Sequence, residues 1–578
     1  MVLALLANGC AHQQRQAGSE SAVVKVGVQG GPINIYDGAK LAAVNGDPVM
    51  LRYDSPGNVA QLMFRRLNGK NDTLLSGESP RESALNFSVL GVDGQNVYTL
   101  WRPKLAVEVP NIGKPGDKFI YFRSSHDGGA TFGSFKRLND ANGAFMPVLA
   151  YANEKDVYVT WVDERTTSNF DVFFNVSHDG GETWKAKDVK LDGGPAGGVP
   201  SIDPYLVAEK EKVWLGWVDS EKNTAVMYVR TSTDRGETWG KQVAVAKSPV
   251  GFIKPTLVRS NGRLFYYWYT VNGLEGVWSA DDGASWKAIP LVKNTNNMLD
   301  MAVTTDASGT IHIALGRKPD ERQQENMFYV RSEDGVNFSE PTRISSGPMF
   351  QATANLPEIA VNSQGAVMVT WQDHRFFRAH TYVNMSRDGG KTWLPTDAAL
   401  SDKYGKTVSL YPRIAAAGKE FVVAWTEYAD TKQRSGWTSY ARLDPEKVTA
   451  DPDAMVPNAA RLKERVNGFW AARIKSDWAK SYDFMDPFFR DRVTRAGYVR
   501  TQGIFTYHAS EFVSADIQGQ RAKVKVHYKY ELPATTSPSG KEIVVPPTEG
   551  DTEQEWIWMD GDWYLVYKDI MGGDFVVY

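Results

Sequence analysis

Four short segments set a carboxylate two residues after an indole: Trp161-Val162-Asp163, Trp217-Val218-Asp219, Trp371-Gln372-Asp373 and, with glutamate in place of aspartate, Trp425-Thr426-Glu427. Twice an arginine follows at the next alternate position, Arg165 and Arg375. Carboxylates beside guanidinium groups suit two chemistries: proton transfer at a polar bond, and gripping an anion, because a guanidinium meets a carboxylate with two parallel hydrogen bonds. Arg102, Asp203, Lys254, Asp300, Arg317, His374, Arg378 and Arg413 are further charged candidates for the same face. The competing role is structural. An aspartate that ends a strand accepts amide hydrogens from the turn after it, and an arginine two residues on then pairs with it. For each residue singly that structural role is the expected one; for the face as a whole, a ligand pit is expected. The eight histidines are scattered without ligand spacing, and no acidic loop has a calcium pattern, so neither metal nor cofactor is expected.

The elements that position these residues repeat. A second short motif recurs six times: SHDGGATF from Ser125, SHDGGETW from Ser177, STDRGETW from Ser232, SADDGASW from Ser279, SEDGVNF from Ser332 (one residue short) and SRDGGKTW from Ser386. A period of about fifty residues marks stacked supersecondary units, none able to bury its own apolar face alone. In each copy the aspartate (Asp127, Asp179, Asp234, Asp281, Asp334, Asp388) can accept backbone hydrogens in a tight turn, and the glycine tolerates positive φ. Around each turn lie alternating apolar strands. One opens on a proline (Pro147, Pro204, Pro255, Pro357, Pro412), and the next ends in the tryptophan of the indole–carboxylate segment. Loops entering the first strand and leaving the second share one face, which brings the charged candidates together.

The six motifs resemble the Asp-box, or BNR repeat, of the sialidase superfamily, and the resemblance spans residues 47–447. It implies an all-β propeller whose Asp-boxes lie on the face opposite the ligand site. Counting strand pairs predicts seven blades, with six or eight as the neighbouring counts; residues 49–75 look like the later half of a repeat that completes the last blade. Sialidases grip their substrate carboxylate with three arginines, one of them in an F/Y-R-I-P motif at the start of an early strand. Here the matching positions read FMP, IDP, IKP and NLP, and only Tyr411-Pro412-Arg413 carries an arginine, after the proline. The ligand-binding face expected from the resemblance comprises Arg102, Asp163, Arg165, Asp219, Lys254, Arg317, Asp373, Arg375, Arg413 and Glu427. Were the protein an enzyme, Arg165, Arg317, Arg375 and Arg413 would hold the anion, Asp163 or Asp373 would be the acid/base, and Tyr411 the nucleophile.

The composition changes after Asp444-Pro445. Residues 448–457 read as a linker, and 458–578 as a small α+β domain: Leu462, Val466, Phe469, Trp470 and Ile474 fall at helical spacing, Pro487 breaks the helical run, and several strands follow. With the segment WAKSYDF from Trp478, this resembles the NTF2-like, cystatin-like cone fold. Tyr482, Asp483, Asp486 and His508 are its candidate lining residues, with packing as their commoner role. The only cysteine, Cys10, ends an apolar start that resembles a lipoprotein signal, giving residues 1–22 as signal and linker, a lipidated Cys10, and a bacterial envelope location. The apolar run is short and no basic residue precedes it. A net charge of −3 gives no reason to expect nucleic acid. The function expected is a non-catalytic, envelope-anchored propeller (residues 23–447) that binds a glycan or an envelope protein. The alternatives are an exo-α-sialidase or related glycoside hydrolase, and a structural scaffold.

Overall fold

The computed structural model describes residues 23–566, apart from 31–37, 56–59, 77–81, 106–107, 109–112, 168, 321–322, 348–352, 377, 403–406, 430–434, 452–457, 504, 537–539, 541, 545 and 560. Cys10 lies outside the described residues. Eight four-stranded antiparallel sheets come from residues 40–74, 82–137, 144–190, 201–248, 253–289, 298–343, 354–399 and 408–443, the last completed by Val24–Gly30. Their first strands touch in cyclic order, the eighth returning to the first, as a β-propeller requires.

Closure differs from the sequence expectation. Residues 40–74 form a sheet of their own rather than completing the last one, and Val24–Gly30 pairs with Ser435–Leu443 instead, Val24 opposite Tyr440. The extra sheet escapes a motif search for local reasons. Its first strand, Lys40–Val44, is short and has no internal proline, no Asp-box joins its last two strands, and Arg52 stands where other repeats place tryptophan. Arg52 nevertheless does the indole's work, donating to Asp54 at 2.8 and 3.1 Å.

Second strands such as Asp156–Asp163 and Val367–Asp373 are buried along their whole length, because sheets pack on both of their faces. First strands carry a bulge at the proline. The residue before it takes a positive φ: Met146 +49°, Asp203 +51°, Lys254 +52°, Leu356 +54° and Tyr411 +55°, with Phe87 at +57° before a serine. The ladder slips there in every case, for example between Phe145 and Val148. Proline has no N–H to give a ladder, so a bulge on the innermost strand is where it fits.

The Asp-boxes form as expected. In the first, Asp127 accepts the Thr131 amide (2.8 Å) and hydroxyl (2.6 Å), while Ser125 Oγ donates to Asp127 and accepts from Gly129 N. Hydrogen bonds from Thr131, Thr238 and Ser285 hold Asp127, Asp234 and Asp281 down at about 2.

The C-terminal residues form a helix Ala459–Ile474, capped by Asn458, on a sheet ordered Thr506–Gln518, Arg521–Glu531, Thr548–Met559, Asp562–Leu565. Leu462, Val466, Phe469 and Trp470 are buried and Ile474 half-buried. Pro487 starts the short helix Pro487–Arg492, with Asp486 as its N-cap.

Candidate functional site

The indole–carboxylate segments are built inward. Asp163 is buried; its Oδ2 accepts Trp161 Nε1 (2.9 Å) and Arg165 Nη2 (2.7 Å), and its Oδ1 accepts the Arg165 amide (2.8 Å). Arg165 also donates to Asp188 (2.7 Å) and lies over the Phe173 ring at 4.0 Å. The second copy is deeper. Arg375, 2% exposed, binds Asp373 at 2.9 and 2.6 Å and Asp397 at 2.8 and 2.7 Å, over Tyr382 at 4.0 Å. Burial alone would raise the Asp373 carboxyl, but Arg375 beside it pulls it below the usual carboxylate range. Asp219 takes the Ser201 hydroxyl (2.6 Å) and Trp217 Nε1 (2.8 Å), and Glu427 takes the Ser439 hydroxyl (2.6 Å).

These contacts are those of the structural role expected for each residue singly. Asp163, Arg165, Asp373 and Arg375 bond to one another and to Asp140, Asp188 and Asp397 inside the protein, with Arg165 Nε lacking an acceptor among the described residues. Asp219 and Glu427 accept side-chain donors from neighbouring strands and, for Asp219, from Trp217. A guanidinium buried between two carboxylates satisfies both, and removing it would strand two charges.

The remaining arginines do not converge. Arg102 lies between Phe145 (4.6 Å) and Phe87 (5.6 Å). Arg317 donates to Asn296 Oδ1 (3.0 Å) and its carbonyl (3.2 Å), and Arg413 pairs with Glu358 (2.8 Å). Tyr411, the expected nucleophile, is a half-buried bulge residue beside that pair. In the C-terminal domain, Tyr482 donates to the carbonyls of Arg490 and Val493, Asp483 pairs with Arg495, Asp486 caps a helix, and His508 meets Glu531, so each has a packing or surface role.

One cluster does come together at the expected place. Lys254 Nζ meets Asp300 Oδ1 at 2.6 Å across neighbouring sheets. Behind them Glu325, 6% exposed, leaves Oε1 without a partner among the described residues. Burial, then the nearby Asp300 charge, raises its carboxyl to about 8. Gly316 makes the room, since a Cβ there would stand 2.3 Å from Glu325 Oε1. Sequence reasoning missed Glu325; the available signal was Leu315-Gly316-Arg317, where a glycine replaces the middle residue of the repeated segment.

Two further features mark this face. First, Met146, Val199, Val250, Ile253, Val271, Leu291 and Leu299 are exposed, from 40% at Val199 to 68% at Val250 and Val271. All lie on first-strand bulges or on loops that enter a first strand or leave a second, within residues 144–299. Second, the C-terminal domain covers the Arg375 loop. Phe376 shares a buried cluster with Phe488, Ile557 and Met559, Arg378 lies over Phe488 at 4.9 Å, and Arg521 Nη2 donates to the Arg375 carbonyl at 2.7 Å.

The ring of four-stranded sheets defines a β-propeller, and residues 155–423 match the family described as BNR repeat-like domain. No curated protein matches the chain. Among solved structures it is similar to an α-L-arabinanase of Penicillium chrysogenum complexed with arabinobiose (16% identity, 61% of this chain and 91% of that one, TM-score 0.34). It is also similar to a variant of the NanB sialidase of Streptococcus pneumoniae (12%, 74% and 95%, TM-score 0.35), and to a protein of unknown function from Dyadobacter fermentans (14%, 53% and 96%, TM-score 0.34). Superpositions this loose assign no substrate.

Proposed function

We propose that this is a non-catalytic, eight-bladed propeller protein, held at the bacterial envelope through Cys10. It binds a protein partner on the face opposite the Asp-boxes, and its C-terminal domain is an NTF2-like cone. The observation that carries the reading is the character of the open face. Its exposed large apolar residues are aliphatic, whereas sugar recognition favours exposed aromatic platforms, and no Trp or Phe is among the exposed large apolar residues described. Isolated exposed aliphatics mean little, but seven on one side of four neighbouring sheets fit a docking surface. The arginines that would grip an anionic sugar are occupied separately. The test is site-specific photo-crosslinking in the native envelope from positions 253 and 299, with position 131 on the Asp-box face as control. One discrete protein adduct from 253 and 299, absent from 131, is expected. Adducts equally from all three, or from none, would remove the docking reading.

A hydrolase reading keeps one specific support. Glu325 is a carboxyl held protonated at neutral pH, beside Asp300 paired to Lys254, and unlike environments for two neighbouring carboxyls are how acid and base roles are divided.

A further inference from the structure

The last turn of the helix Ala459–Ile474 carries an arginine with an incomplete set of partners. Among the described residues Arg473 makes one hydrogen bond, from Nη2 to the Tyr507 hydroxyl at 2.8 Å. Its Nε is buried without an acceptor, and no carboxylate lies within ion-pair distance among the described residues. Two other arginines of the same domain are paired, Arg461 with Asp562 and Glu464 and Arg495 with Asp483, while Arg490 also leaves its Nε without an acceptor among the described residues.

Around Arg473 the partners are rings. Tyr507, Trp478 and Trp470 lie 4.7, 5.6 and 5.7 Å from its guanidinium carbon. Ring faces stabilise a cation, but they leave its N–H groups without acceptors. A shelf of rings continues outward: Trp470 stacks on Tyr528 at 5.1 Å, and Tyr528 lies 5.4 Å from Tyr530. Tyr528, Tyr530 and Trp478 are half-buried, so the shelf reaches solvent.

We propose that this is a binding site for a small carboxylate carried on a flat ring, an aromatic carboxylate in the simplest case. The carboxylate would complete the Arg473 fork, accepting two parallel hydrogen bonds from its N–H groups. The ring would lie on Tyr528 and Tyr530, where stacked or edge-to-face contact adds to burial. A purely structural Arg473, there to cap a helix C-terminus with positive charge, would show no preference for an anion over its neutral isostere.

The test is calorimetric titration of the full chain with benzoate and with benzamide, which has the same ring and no charge. Benzoate is expected to bind at least about tenfold tighter than benzamide, with that preference lost in Arg473→Met. Tyr530→Ala should weaken both ligands while keeping the preference, and it keeps the proposal testable if the arginine variant misfolds. No benzoate binding, equal binding of the two ligands, or unchanged preference in a folded Arg473→Met would overturn it.

Discussion

Two loops of this propeller share the sequence W-x-D-x-R and diverge in what surrounds it. At Arg165 the guanidinium holds Asp163 and Asp188, and a third carboxylate, Asp140, joins them, its amide donating to Asp188 at 2.9 Å. At Arg375 the corresponding third position is Ser346, whose amide (2.9 Å) and hydroxyl (2.6 Å) both donate to Asp397. The first loop therefore packs three acids around one base and keeps an edge to water. The second surrounds two acids with Arg375, the Ser346 hydroxyl and the charge of nearby Arg343, and lies under the C-terminal domain. What surrounds the motif, rather than the motif itself, distinguishes the loop with an edge to water from the covered one.

The largest effect that follows is at Arg375. Arg375→Ala leaves Asp373 and Asp397 buried without their base, and should cost about 3–5 kcal/mol in denaturant unfolding. Arg165→Ala, where the guanidinium and Asp140 reach water although Asp163 and Asp188 are as buried as Asp373 and Asp397, should cost less, about 1–3 kcal/mol after discounting for solvent. Equal losses would break the comparison.

Removing the cover without touching the core is a sharper test. Arg521→Met deletes the hydrogen bond to the Arg375 carbonyl, a charge-assisted bond of about 1.5–3 kcal/mol, together with the Arg521–Glu555 pairing at 3.6 Å inside the C-terminal domain. It should separate a low-temperature calorimetric transition for the C-terminal domain and leave the propeller transition in place.

The smallest expected effect concerns pH. Burial, then Asp140, raises the Asp188 carboxyl to about 6. A raised carboxyl means that between its unfolded value near 4 and 6 the folded state holds the extra proton, so this group's contribution to stability falls as pH rises through that window. The opposite shift of Asp140 offsets part of it. Asp140→Ser copies the Ser346 arrangement and should flatten the stability profile between pH 4 and 6, a change of about 1 kcal/mol. The Asp-box carboxylates run the other way: held at about 2, they add stability above pH 4 that is lost as pH falls toward 2.

The fold was legible in the sequence because its turns and strands carry their physics locally. An Asp-box needs its own serine, aspartate, glycine and aromatic, and all six are where the motif places them. The sheet of residues 40–74 was not legible, since Arg52 performs an indole's task and no box marks its turn. The candidate site was legible only in position. Sequence places Asp163, Arg165, Asp373 and Arg375 at strand ends, but burial comes from Asp188 and Asp397, two dozen residues on, and from a separate domain. Glu325 was invisible for the same reason: its unusual state depends on the gap at Gly316 and on Asp300 from another strand.

The most direct measurement is hydrolysis of a fluorogenic sialoside by the purified protein, beside an authentic sialidase and the Asp300→Asn and Arg413→Ala variants. A propeller whose arginines hold its own carboxylates should release no fluorophore above background while remaining folded. Turnover that disappears in Asp300→Asn or Arg413→Ala would contradict the account and make the Lys254–Asp300–Glu325 cluster an active site.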